Sequence, residues 1–369
     1  MRKTLFKWHS YAALVAMLPI FIISITGSIL VFKVEIDSLL RPEHMRVDHV
    51  GAQPRVSLDT LMANVLDTHT GYELGGWELF HDNYRSDAGY LIKHGTEEWS
   101  KIYVNQYTGE LLSQPQTMEH YITDWLLELH YTFLLHNQGI VVGFIVALVM
   151  LFLGVSGIII YRRFWAKFFT LRYKAVRRIL FSDIHKMIGI VSSPVLIILA
   201  ITGGYWNISL LIHEYVEHAG EEHFLITKPL HSETISFETL RLQARQEIDG
   251  FSAGYLSMPH EPDSYITYWG DVPNKNPFSS EYSSTVTFDK DEGKLVSKID
   301  VRESGFSHVF VDSFRKLHFG YFGGLVTRII WCVLGLMPVV LAFTGFYLYW
   351  QRTRQRKRAK VSRQELQVS

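Results

Sequence analysis

Four stretches of this chain carry no Asp, Glu, Lys or Arg: Tyr11 to Phe32, Gly139 to Tyr161, Met187 to Ile212 and Ile329 to Trp350. Each has the ~20 residues that a helix needs to cross the hydrocarbon core of a bilayer. A lipid interior offers no water to an unpaired backbone, so such runs span as helices or not at all. They predict four transmembrane helices, and they account for a composition of 48% hydrophobic and 14% aromatic residues. Arg2, Lys3 and Lys7 precede the first run as they would in a secretory signal. That run is too long and lacks a small-x-small cleavage site, so it reads as a retained anchor.

The formal charge balances at 36 against 36, but the basic residues are segregated. Arg2, Lys3 and Lys7 stand before the first run, seven Lys/Arg lie between Arg162 and Arg178, and seven more follow from Arg352 to Arg363. Positive residues gather on the cytoplasmic side, which predicts cytoplasmic termini and a cytoplasmic loop at 162–184. The two long segments then lie outside, in the periplasm if the host is a Gram-negative bacterium. The single cysteine, Cys332, sits inside the fourth run, so no disulfide within the chain is available to the outer segments.

The chain states one pattern twice. Seventeen residues separate His9 from Thr26-Gly27, and seventeen separate His185 from Thr202-Gly203. Leu129-His130 precedes Ser156-Gly157 by the same 26 residues, His to hydroxyl, that separate Leu317-His318 from Thr344-Gly345. Between the spans, Ser57 caps a predicted helix with apolar positions Leu58, Leu61, Met62, Val65 and Leu66, ended near Gly71. Ser236 caps its counterpart, ended by Gly250. Strand-like runs follow each helix, at 73–80, 90–93 and 101–105 in the first segment and at 254–258, 265–269 and 285–288 in the second. The first set closes on a hairpin turn at Gln106–Glu110 with Gly109; the second leads into Asp289–Gly293, a weaker version of that turn. Each half therefore reads as helix, α+β outer domain, helix, an internal duplication.

Topology sorts the duplicated histidines into His9 and His185 at the inner face, and His130 and His318 at the outer face. Neutral imidazoles on facing helices suit the iron of a non-covalent b-type haem, and the absence of Cys-x-x-Cys-His excludes covalent attachment. A single histidine at a helix end is more ordinarily an interfacial capping residue; four at repeated positions put ligation level with that reading. Gly27 and Gly203 lie five turns along from His9 and His185, near the outer pair, where a missing side chain admits a porphyrin or another backbone. Gly157 and Gly345 are the corresponding candidates near the inner pair, where a break around Gly139 and Gly320–Gly324 prevents the same face argument.

Other features compete. His136 follows His130 by six residues, where the second half has Gly324, and with His213 it is an alternative outer ligand. The stretch His213–His223 is rich in metal-capable groups but matches no zinc-hydrolase motif. Arg328 is placed to snorkel or to pair with a haem propionate. Trp77, Trp99, Trp269 and Tyr268 are aromatic candidates for holding an organic chelate. No Gly-x-Gly-x-x-Gly stands between a strand and a helix, which implies an external electron donor.

These His, Thr-Gly and Ser-Gly motifs, with Asp183-x-His185-x-x-x-Gly189, resemble the PepSY-associated transmembrane family of bacterial iron-regulated inner-membrane proteins. The outer segments look like PepSY modules, and the likeness covers roughly residues 5 to 352. Ala13 stands where the third helix has Gly189. The resemblance implies a membrane protein of four transmembrane α-helices in a pseudo-two-fold duplicated bundle, with two α+β PepSY-like extracytoplasmic domains. Its parts would be 1–32 (first helix), 33–121 (outer domain), 122–161 (extension and second helix), 162–184 (basic loop), 185–213 (third helix), 214–314 (outer domain), 315–351 (extension and fourth helix) and 352–369 (basic tail). It further implies two b-type haems on His9, His185, His130 and His318, and reduction of a periplasmic ferric siderophore or other ferric chelate. A cytoplasmic or quinol donor would supply the electrons, and no nucleic acid is involved. The alternative from another class is a non-enzymatic membrane protein whose PepSY domains restrain a periplasmic protease or sense envelope state.

Overall fold

The computed structural model describes residues 2–47, 54–82, 84–161, 163, 170–213, 215 and 224–368. Most of the basic stretch between Arg162 and Lys167 and most of the His213–His223 stretch fall outside the described residues. The chain divides into two compact units. The helical unit comprises Met1–Val31, Leu126–Ala219 and Leu317–Ser369; the sheet unit comprises Phe32–Trp125 and Gly220–Lys316.

The helical unit holds α1 (Arg2–Val15), α2 (Met17–Leu30), α7 (His136–Ile160), α8 (Arg177–Ile212) and α11 (Gly324–Val368). Three helices, α7, α8 and α11 with its preceding turn, are long and apolar enough to cross a membrane, and α1 with α2 makes a fourth span bent by 66°. In the most apolar window of the α11 span only 11% of residues are buried against the rest of the chain. Most of that apolar surface is therefore left for lipid, and the protein is a multi-pass membrane protein.

The first span departs from the single straight helix expected over Tyr11–Phe32. Pro19 has no N–H to give the carbonyl four residues back, and its ring crowds that carbonyl, which belongs to Val15, the last residue of α1. The ladder is carried past the break by Ala16 N–H to Ala12 O at 3.0 Å and Ile20 N–H to Ala16 O at 2.9 Å. Pro194 and Pro338 remain inside continuous helices.

The sheet unit contains α3 (Lys33–Leu40), α4 (Pro42–Met45), α5 (Leu58–Thr68) and α9 (Phe237–Glu247). Its strands are β1 (Tyr72–Glu78), β2 (Asp87–Lys93), β3 (Trp99–Val104), β4 (Gln116–Thr117), β5 (Ser252–Ser257), β6 (Ile266–Asp271), β7 (Ser284–Phe288) and β8 (Leu295–Ile299). Helices α6 (Ile122–Tyr131) and α10 (Phe306–Phe319) carry the chain onward into the helical unit.

The strands of the two outer segments form one sheet, in the order β4-β3-β2-β1-β5-β6-β7-β8. The seam is an antiparallel pairing of β1 with β5: Gly76 with Ser257, Trp77 with Leu256, Glu78 with Tyr255. Trp77 and Leu256 each lie 20 residues after their cap serines, so equivalent positions face each other. Each half alone would expose β1 or β5 as an unpaired edge, and pairing the two satisfies both ladders.

One core lies between the sheet and the two helices. Leu58, Leu61, Met62 and Val65 of α5 join Phe237, Leu240 and Ala244 of α9 against Trp77, Leu91, Ile102, Leu256, Tyr268 and Phe288. Trp77 and Tyr268 are thus core residues, fully enclosed, and are unavailable as surface contacts for a chelate; Trp269 is exposed. Each helix N-terminus is capped by its own serine, Ser57 Oγ accepting from Thr60 N at 3.3 Å and Ser236 Oγ from Thr239 N at 3.1 Å. Each is also capped by the other helix: Asp59 accepts from Phe237 N at 2.6 Å, and Glu238 from Leu58 N at 3.3 Å.

The two turns read as unequal in sequence have the same construction. Asn105 Oδ1 accepts from Tyr107 N and Thr108 N; Asp289 Oδ1 accepts from Asp291 N and Glu292 N. Gly109 and Gly293 then adopt left-handed φ of 78° and 68°, which their lack of a Cβ permits. Strands β4 and β8 were not read from sequence.

Candidate cofactor-binding site

His9 lies on α1, His130 in the last turn of α6, His185 on α8 and His318 near the end of α10. Each is tied through Nδ1 to a hydroxyl on a different helix. His9 meets Ser156 Oγ at 2.7 Å, His130 meets Thr26 Oγ1 at 3.0 Å, His185 meets Thr344 Oγ1 at 2.8 Å, and His318 meets Thr202 Oγ1 at 2.7 Å. The first two bonds are reciprocal between the first and second spans with their extensions, the last two between the third and fourth. The sequence shows each hydroxyl only as a neighbour of the histidine on its own span; the fold gives it to the other.

The hydroxyls decide which imidazole nitrogen carries the proton. A threonine has one O–H to donate. Thr26 donates to Ile22 O at 2.8 Å, Thr202 to Ile198 O at 2.8 Å and Thr344 to Val340 O at 2.7 Å. With that hydrogen engaged, the oxygen accepts from the histidine, so Nδ1 carries N–H and Nε2 keeps its lone pair. Ser156 donates to Leu153 O at 3.4 Å, a looser version of the same device. All four hydroxyls are buried, with 1% to 3% of their residues exposed, so an unpaired lone pair there would be costly.

The glycine after each hydroxyl residue clears space for the ring. A Cβ on Gly27 would stand 2.7 Å from His130 Cε1, on Gly203 3.2 Å from His318 Cε1, on Gly345 3.2 Å from His185 Cε1 and on Gly157 3.8 Å from His9 Cε1. The glycines do lie beside the histidines, but imidazole fills the gap that was read as room for a porphyrin or a backbone.

The rings of His130 and His318 lie 6.4 Å apart, centre to centre, and 68° from parallel. The donor set, four imidazoles each held through Nδ1 by a hydroxyl, is of a kind that would suit haem iron or another metal that takes imidazole nitrogen.

Sequence reading left His136 and His213 as substitutes for an outer ligand. Both are exposed, and neither belongs to the pair of facing rings. His136 opens α7 with a left-handed φ of 50°, as Gly324 opens α11 at 67°. Trp206, which the sequence did not single out, packs its ring 5.0 Å from His318. Arg328 donates to Val31 O at 2.6 Å, and Asn207 of α8 to Ile140 O at 3.2 Å, so two polar side chains within the spans are held by carbonyls of neighbouring helices.

No curated protein matches the chain. The family model for the PepSY-associated TM region matches residues 6–352. That stretch takes in all four histidines, their hydroxyl partners and the whole sheet unit, and the chain belongs to the PepSY-associated transmembrane family.

Proposed function

We propose that this protein is a di-haem electron conduit of a bacterial inner membrane, an internally duplicated bundle that reduces a ferric siderophore or other ferric chelate in the periplasm. His9 with His185 would hold one b-type haem near the cytoplasmic face, and His130 with His318 the other near the periplasmic face. Once bound, the haems supply one-electron redox chemistry between a cytoplasmic or quinol donor and the chelate, whose hard oxygen ligands favour Fe(III) over Fe(II).

The chain's own contribution is positional. Thr26, Thr202, Thr344 and Ser156 hold each Nδ1–H, fix the ring rotation and keep Nε2 unprotonated for ligation. The apolar spans exclude water from the ligands, and the N-terminal, 162–184 and C-terminal basic stretches orient the chain with its sheet unit outside. The reciprocal caps of Asp59 and Glu238 and the facing Trp77 and Leu256 support a duplicated outer domain of PepSY type.

The observation that carries this reading is the repeated lock on Nδ1. With Nδ1 held by a hydroxyl at all four positions, Nε2 is the nitrogen each ring leaves for a metal. The test is electron transfer across a sealed membrane. In proteoliposomes loaded with a reductant, a ferric chelate outside should be reduced in the presence of the protein and not in its absence. His185→Ala should lower haem content to about half and spare the other haem, with His318→Ala doing the reverse. Full occupancy in either variant would remove that residue from the ligand set, and equal reduction with and without protein would remove the conduit.

A further inference from the structure

The sheet unit holds a cavity of about 200 Å³ lined by Arg55, His81, Arg241, Arg245 and the backbone turn Gly250–Ala253. It is smaller than the roughly 300–1,000 Å³ of sites for drug-sized ligands, which restricts any occupant to a small molecule. Three of the lining side chains are guanidinium groups and none is acidic.

Two of the arginines are partly engaged. Arg55 donates to Phe80 O at 2.7 Å and pairs with buried Asp87; Arg241 pairs with Glu238 at 2.5 Å. Each guanidinium has five N–H groups, so donors remain on both. Arg245 has no acidic partner among the described residues. His81 donates Nε2–H to Ala253 O at 2.7 Å, which settles its orientation against the cavity wall.

The internal repeat shows what the scaffold requires at such a place. Counting from Ser57 and Ser236, the positions matching Arg55, Arg241, Arg245 and Ser252 in the other half are Thr234, Met62, Leu66 and Glu73, while His81 is matched by His260. The matching places thus hold a threonine, two apolar side chains and a carboxylate instead of three arginines and a serine. Helix α5 packs with Met62 and Leu66 where α9 carries Arg241 and Arg245, so helix packing does not explain the two arginines of α9.

We infer that this cavity is a binding site for a small oxyanion, a phosphate or a carboxylate-bearing molecule, held by Arg245 together with the free N–H groups of Arg55 and Arg241. Planar guanidinium groups match such oxygens two at a time, which a lysine would not do. The site stands apart from the four histidines and does not depend on their holding haem.

The test uses the full-length protein in detergent micelles at low ionic strength, titrated by calorimetry with inorganic phosphate and, separately, with citrate. Saturable binding of at least one probe is expected, weakened tenfold or more in Arg245→Gln and abolished in Arg245→Glu. Phosphate alone would identify a phosphate site, citrate alone a carboxylate site. Leu66→Gln, at the matching position of the other half, should leave binding unchanged, and because Arg245 is exposed the variants should unfold at the wild-type temperature without anion. Absence of saturable binding to both probes, or equal affinity in wild type and Arg245→Gln, would overturn the assignment.

Discussion

His318 Nδ1 lies 2.7 Å from the hydroxyl of Thr202, whose own hydrogen is given to Ile198 O. Thr202→Val keeps the shape of the side chain and removes the hydroxyl that holds the ring. Cofactor affinity at that site should fall by about 10–100-fold, the usual cost of losing the group that orients a ligating histidine. Haem retention on dilution measures this; unchanged retention would show that Thr202 does not act through His318.

The glycines make a graded prediction. A Cβ at Gly27 would meet His130 Cε1 at 2.7 Å, whereas at Gly157 the nearest atom, His9 Cε1, is 3.8 Å away, ordinary contact distance. Gly27→Ala should cost about 1–3 kcal/mol and displace the imidazole, as overpacking does elsewhere. Gly157→Ala should be tolerated. Thermal unfolding and the haem spectrum of the two variants check the contrast, and equal effects would mean that ring clearance is not why glycine stands there.

Asp59 binds the opposite helix through three bonds: from Ser236 Oγ at 2.6 Å, from Phe237 N at 2.6 Å and from Glu238 N at 3.4 Å. Asp59→Ala should cost about 1–2 kcal/mol by leaving the first turn of α9 without its acceptors. Glu238→Ala should cost less, since Glu238 gives Leu58 N a single bond of 3.3 Å. Denaturant unfolding of the two variants ranks them, and the reverse order would contradict the capping account.

Alkaline pH should weaken the sheet unit. Burial, reinforced by the negative charge of Glu78, pushes the Tyr255 phenol up from 10.0 to about 12. The same two causes, in the same order, hold Tyr90 and Tyr282 above the usual tyrosine range. The fold favours the neutral phenol, so this stability is fully present below the unfolded value of about 10 and is lost as pH rises toward 12. Tyrosinate absorbance during a pH titration follows it. Glu78→Gln should bring the Tyr255 ionisation to lower pH, and an unchanged curve would exclude the carboxylate as a cause.

The spans were legible because charge is absent from them, and the outer helices because Ser57 and Ser236 precede apolar positions at helical spacing. The bend at Ala16 was not legible from Pro19 alone, since Pro194 and Pro338 sit in unbroken helices. Strand β8 escaped because all five residues are exposed and leave no alternating pattern. The seam between β1 and β5 joins segments far apart in sequence, and nothing local in Gly76–Glu78 names Tyr255–Ser257 as partners. For the candidate site, the histidines and their Thr-Gly and Ser-Gly companions stood out by repetition. Which hydroxyl serves which histidine depends on helix neighbours, and Trp206 carried no repeat signal because Leu30 occupies the matching place.

The most direct measurement of the central claim is the haem content of the purified protein. Expressed with adequate haem and extracted in mild detergent, the wild type should show a Soret band and a pyridine haemochrome of b type corresponding to two haems per chain, one for each pair of histidines. A preparation with no Soret band and no haemochrome would contradict the account.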